Sequence, residues 1–154
     1  MVDRIDIVPL PPSAAASCEA ILRSLPQWFG IEEAIVRYRN DIERMESFGV
    51  HDNDRLIAFL TVNYHFDHAA EIHVMGIRKE YHRQGIGRAM VNHVESLLRT
   101  KGVELFEVKT LAAGHPDPNY AKTRLFYESL GFRPLEVNDL WGDKNPCLIL
   151  VKHL

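Results

Sequence analysis

Cysteine is scarce in this chain: Cys18 and Cys147 are the only two in 154 residues, far apart and outside any Cys-x-x-Cys pair. A disulfide framework and a zinc knuckle are both excluded as organising principles. No apolar run approaches the ~18 residues of a membrane span. The opening MVDRIDIVPL places acids where a secretory signal needs an apolar stretch, so a cytoplasmic, reducing location with no membrane partner is expected. Repeats, low-complexity tracts and linkers are missing too, and residues 3–154 read as a single domain. Hydrophobic residues make up 46% and charged residues 25%, which argues against disorder, collagen and coiled coil.

The net charge of −3 hides a segregation. Residues 1–77 carry 6 basic and 12 acidic side chains, 78–101 carry 6 and 2, and 102–154 carry 6 and 7. A short basic island in an acidic protein suits one compact anionic ligand. Nucleic-acid binders spread positive charge over a whole face, so no nucleic-acid partner is expected.

Periodicity gives the elements. Ile5 and Ile7 alternate in a strand over 4–9, closed by Pro9, Pro11 and Pro12. Ser13 can cap a helix through Ala20, Ile21 and Leu25, and Ile31 to Arg44 keeps helical spacing. Strands over 47–51 and 56–65 flank Asp52-Asn53-Asp54, and another runs over 71–77 with Glu71, His73 and Met75 on one face. Ile86, Met90, Val94, Leu97 and Leu98 form a helical stripe that Gly102 stops. A strand over 103–111, a loop over 112–119, a helix over 120–130 ended by Gly131, and strands over 132–137 and 147–151 follow. Strand, long helix, strand in mid-chain implies a parallel pair joined by a right-handed crossover, with a ligand at the carboxyl ends, after Ile77 and Leu111.

The sharpest segment is Ile77-Arg78-Lys79-Glu80-Tyr81-His82-Arg83-Gln84-Gly85-Ile86-Gly87-Arg88, a strand entering a glycine loop that opens a helix. Gly85 and Gly87 permit close backbone approach, the first helical turn offers unpaired N–H groups, and Arg83 and Arg88 add charge, which suits a pyrophosphate. A dinucleotide fingerprint fails, because it wants a third glycine where Met90 stands.

This loop resembles that of the GNAT superfamily of acetyl-CoA-dependent N-acetyltransferases, Gln/Arg-x-x-Gly-x-Gly/Ala, with His82 at the usual Gln/Arg position. Thr123-Arg124-Leu125-Phe126-Tyr127-Glu128-Ser129-Leu130-Gly131-Phe132 resembles the late helix of the same family, and Tyr120 replaces its usual asparagine. The resemblance covers about Glu71 to Phe132. It implies an α+β fold, a central mixed sheet with a splayed parallel strand pair flanked by helices. It also implies transfer of an acetyl group from acetyl-CoA to a primary amine by direct attack, with no acyl-enzyme and no metal. The cofactor would be held by Met75, Gly76, Ile77, His82, Arg83, Gln84, Gly85, Ile86, Gly87, Arg88, Tyr120 and Tyr127.

Such chemistry needs a neutral amine, a polarised carbonyl and a protonated leaving sulfur. Glu71 matches the base position of histone-acetylating members, with His73 on the same strand face as the other candidate; a solvated or paired strand charge is the alternative for either. The resemblance makes Tyr127 the general acid, against a core tyrosine bonded elsewhere. It also gives a backbone amide among Met75 to Ile77 to the carbonyl, and Gly76 is consistent with a bulge there. Trp28 and Phe29, with Glu32, Glu33 and the loop near Trp141, would wall the acceptor site, or pack between helices. The acidic first half favours a cationic acceptor, a small molecule or a protein amine. His65, His68 and His73 read as a polar turn, and Cys147 as packing. A longer acyl-CoA donor and a non-catalytic CoA-binding module are the rival functions, and a homodimer is compatible with all three.

Overall fold

The structure, a computed structural model, describes residues 4–154. A short strand β1 (Val8–Leu10) leads through a turn of 3₁₀ helix at Pro12–Ala14 into α1 (Ala15–Arg23) and α2 (Glu32–Arg44). The strands β2 (Glu46–Asp52), β3 (Arg55–Phe66) and β4 (Ala69–Ile77) follow, then α3 (Ile86–Thr100), β5 (Leu105–Leu111), α4 (Pro118–Ser129), β6 (Arg133–Asn138) and β7 (Cys147–His153). The seven strands form one mixed sheet in the order β1-β2-β3-β4-β5-β7-β6. β4 and β5 are the parallel pair, in register from Ala69↔Leu105 to Ile72↔Val108. The mixed sheet with a parallel pair and four flanking helices agrees with the fold class expected from the sequence. Among the described residues no helix is long and apolar enough to cross a membrane.

The first strand lies later than the alternation of Ile5 and Ile7 suggests, because Val8, Pro9 and Leu10 are the residues in register with β2. Pro9 is tolerated there since β1 is an edge strand, where a missing N–H costs no ladder bond. Ser13 is no cap: it lies inside the 3₁₀ turn, and α1 starts without a side-chain hydrogen bond. The real side-chain cap is Asp117, which accepts from the Asn119 N–H at 2.8 Å and starts α4 two residues before the expected point, with Pro118 at its first position. Asn53 turns β2 into β3 with φ 55°, and Gly102 and Gly131 follow α3 and α4 at φ 82° and 95°.

Contacts divide the chain into two compact units. One comprises the described residues through Asn63 together with His73–Leu98, the other Tyr64–Ile72 with Arg99–Leu154. In the first, Ala15, Cys18, Ile21, Leu22 and Leu25 pack with Ile42, Leu56, Phe59 and Val74. Each large side chain withdrawn from water here contributes about 1.5–3 kcal/mol. Gly76 is where α1 comes closest to β4: a Cβ there would sit 3.0 Å from Ile21 Cγ2 and 3.2 Å from Phe59 Cε1. In the second unit, the rings of Phe106, Phe132 and Tyr127 form a chain, the first pair tilted with centroids 5.5 Å apart and the second edge to face at 5.9 Å.

Candidate active site

The loop between β4 and α3 is held from both ends. Arg78 N–H donates to Ile57 O at 2.9 Å, and Tyr81 donates its hydroxyl proton to Asp52 Oδ2 at 2.5 Å. That carboxylate raises the Tyr81 pKa. His82 donates a ring N–H to Ile77 O at 2.7 Å and sets its ring edge-on to Trp28 at 5.9 Å. Arg83 and Gly85 both take the left-handed conformation, φ 61° and 80°. Only glycine does so without strain, so the departure at Arg83 marks a position that the loop geometry dictates. Ala89 N–H donates to Gly85 O at 3.0 Å, the first rung of α3. The N–H groups of Ile86, Gly87 and Arg88 precede that rung and have no carbonyl inside the helix. They sit at the positive end of a 15-residue helix, with Arg83 and Arg88 exposed beside them. Such an arrangement can hold an anion. Met75 and Ile77 are half-buried on β4.

On the other unit the register decides the chemistry. The parallel pairing sets Glu71 beside Glu107, so two carboxylates face the same way on adjacent strands. Lys109, two residues on, returns to bridge them: its ammonium donates to Glu71 Oε2 at 2.8 Å and lies 2.7 Å from Glu107 Oε1. His65 Nε2 stands on the far edge, 3.1 Å from Glu71 Oε1 and 3.5 Å from Glu107 Oε2. Burial alone would lower the Lys109 pKa, but the two carboxylates outweigh it and the net shift is upward. Donor atoms of His65, Glu71 and Glu107 lie within 4.8 Å of one another, and the Lys109 ammonium bonds both carboxylates.

The three histidines read as one polar turn are therefore sent to three places. His65 joins the carboxylates, His68 stacks on Phe66 with centroids 5.6 Å apart, and His73 pairs its Nε2 with Asp41 Oδ2 at 2.8 Å, edge-on to Tyr38. Trp28 and Phe29 pack against the core of their unit, and Glu32 is gripped by Arg23 at 2.7 and 2.8 Å; Trp141 stays exposed. Tyr127 is buried with its ring among Phe126 and Phe132, and Tyr120 is half-buried one turn into α4. Cys147 is buried, and burial raises its thiol pKa, in line with packing. Glu107, Lys109, Asp41 and His65 were not singled out as site residues from sequence. Period-two spacing puts Glu107 and Lys109 on one face of β5, but nothing local says which face of which strand they meet.

A family model described as an acetyltransferase (GNAT) domain matches residues 44–134, more than half of the chain. The chain belongs to this family. Among curated relatives, the ribosomal protein bS18-alanine N-acetyltransferase of Escherichia coli is 30% identical over 93 residues, 60% of this chain and 58% of that protein. The chain spans 58% to 66% of the length of the curated relatives it matches. A GNAT-family crystal structure from Desulfovibrio desulfuricans superimposes with a TM-score of 0.84 at 15% identity, covering 97% of this chain and 99% of that one. The PaiA N-acetyltransferase of Thermoplasma acidophilum, in complex with coenzyme A, gives 0.74 at 19% identity over 98% and 99%. At these identities the structural likeness speaks for the fold.

Proposed function

We propose that the protein transfers the acetyl group of acetyl-CoA to a primary amine, with a cationic small molecule or protein amine as acceptor. The observation that carries this reading is the β4–α3 loop: left-handed Arg83 and Gly85 lead into the N-terminus of a 15-residue helix, flanked by exposed arginines, inside a chain of this family. A second support is His115, in the loop after β5, whose buried Nδ1 has no hydrogen-bond partner. Buried polar atoms are rarely left so, and a ligand donor at the carboxyl end of a parallel strand would complete it. The coenzyme A complex of the PaiA relative gives the same direction.

Acetyl-CoA supplies an activated thioester, whose C–S bond breaks as the C–N bond forms. The residues of the chain do the rest. Amides and side chains over His82 to Arg88 hold the pyrophosphate, Met75 to Ile77 supply a backbone N–H to the carbonyl oxygen, and Tyr120 replaces a family amide contact. Glu71 accepts the proton from the attacking nitrogen. Lys109 and His65 stand against its two oxygens and hold the carboxylate in one orientation. His73, oriented by Asp41, is the second candidate base. Tyr127 returns a proton to the leaving sulfur, a phenol of pKa about 10 being a competent donor to a thiolate of about 8.5.

Thiol release from acetyl-CoA and from a longer acyl-CoA across a panel of amines tests the reading, with Glu71→Gln and His73→Gln alongside. Amine-dependent release with acetyl-CoA supports it; release only with the longer donor, or coenzyme binding without turnover, replaces it with one of the rival functions.

A further inference from the structure

We propose that Lys109 is a positioning residue for Glu71, fixing the direction and the charge of its carboxylate, with Glu107 acting as the opposing weight; this rests on the reading of Glu71 as base. Parallel register puts the Glu71 and Glu107 carboxylates side by side, an arrangement that like charge opposes. Lys109 removes the conflict by taking one oxygen of each, at 2.8 and 2.7 Å, and so aims the remaining oxygens toward His65. The side chains of Glu71, Glu107 and Lys109 are 8%, 23% and 23% exposed, so the network is largely withdrawn from water. Burying such a set is expensive, and well-packed apolar residues often serve stability as well or better. Stability thus gives a poor reason for three charges here, whereas a proton acceptor that must keep one orientation and one charge state gives a good one.

Charged and titratable groups face this network from several strands: β3 contributes His65, β5 contributes Glu107 and Lys109, β7 contributes the Cys147 thiol, and β6 contributes Glu136, whose charge reaches that thiol. Lys109 is the group that touches both carboxylates. The two carboxylates at 2.8 and 2.7 Å hold the ammonium's pKa up against the effect of burial. Coupling between charges is mutual, so removing either partner acts on Glu71 with a defined sign.

Lys109→Met takes away the cation, and protonation of Glu71 becomes easier. Glu107→Gln takes away the like charge, and protonation becomes harder. The test is the pH dependence of kcat at saturating amine, together with a carbon-13 titration of the Glu71 carboxyl in the coenzyme-free protein. For Lys109→Met the acid limb and the carbon-13 midpoint are expected to move up by about one pH unit or more, and kcat at neutral pH to fall about ten-fold. For Glu107→Gln both move down, and Lys109→Arg restores the wild-type profile. If loss of the ammonium unfolds the chain, the charge-balanced Lys109→Met/Glu107→Gln double variant is used, with a midpoint expected between those of the single variants. Carbon-13 midpoints that stay in place, or move in the same direction in both single variants, overturn the inference. Midpoints that move as expected while the kcat limbs stay put uphold the effect of Lys109 on Glu71 and remove Glu71 as base.

Discussion

His82 donates its ring N–H to the carbonyl of Ile77 at 2.7 Å, closing the loop that joins β4 to α3. The family resemblance puts a glutamine or arginine at this position. Histidine meets the local need differently, reaching back to the last carbonyl of β4 and resting edge-on against Trp28. A residue that looks like a departure in the sequence is thus a fastener in the fold.

Removing that fastener is expected to be felt twice. His82→Ala leaves the Ile77 carbonyl without this donor, costing about 1 kcal/mol and lowering Tm by about 2–4 °C. Coenzyme affinity should fall with it, because Arg83 and Gly85 then hold their left-handed conformations less firmly. Calorimetric titration of coenzyme A, with a thermal melt, checks both; an unchanged affinity would detach His82 from coenzyme binding.

Gly87 lies in the first turn of α3, buried, with its N–H ahead of the first helical rung. Gly87→Asp adds bulk and a negative charge where an anion is to sit. Coenzyme A affinity is expected to drop by at least an order of magnitude while the circular dichroism spectrum is retained. Equal affinity in the variant would refute the phosphate-loop assignment.

Tyr127→Phe keeps the ring against Phe126 and Phe132 and removes only the hydroxyl. Turnover is expected to fall about ten-fold to ten-thousand-fold, the range of general-acid effects, with coenzyme affinity nearly unchanged. Full turnover in the variant would leave Tyr127 as a core residue only.

Cys18 sits at 0% exposure in the core, and burial pushes its thiol up to about 12. The group is neutral when folded and ionises more readily when unfolded, so its contribution to stability is fully present below about pH 9. It is lost progressively as pH rises from 9 toward 12. Alkylation of Cys18 by iodoacetamide at pH 8 is therefore expected to be about a thousand-fold slower than for a free thiol, and to become fast on adding denaturant. Fast labelling of the native chain at Cys18 would contradict this burial.

Gly76 lies where α1 and β3 press on β4. A Cβ at this position meets Ile21 and Phe59 at 3.0 and 3.2 Å, closer than ordinary packing. Gly76→Ala is expected to destabilise by about 1–3 kcal/mol through overpacking between α1 and β4, measured by chemical denaturation. A neutral change would show that α1 can give way.

Local order was written openly in the chain. The helical stripe from Ile86 to Leu98, the apolar run along β3, the alternation of Ile72, Val74 and Gly76 in β4, and the glycines at 85, 102 and 131 depend on neighbours within about seven residues. Backbone sterics and amphipathic period act at that range. Even there, tertiary packing moved details: Glu95 is buried on α3 while Leu97 is only half-buried, and β1 took its position from its partner strand. The loop that opens α3 was equally legible, since a left-handed glycine turn and a helix start are properties of a contiguous segment.

The company kept by Glu71 was not. Lys109 and Glu107 lie 38 and 36 positions away, across a crossover helix, and they meet Glu71 only because β4 and β5 pair in one register out of several. Slipping that pairing by one residue would send the carboxylates to opposite faces. Sequence thus determined which elements form and where a glycine loop opens the long helix. Tertiary structure alone decided which charges stand beside the proposed base, because strand register is set by the summed packing of the sheet and not by any residue within it.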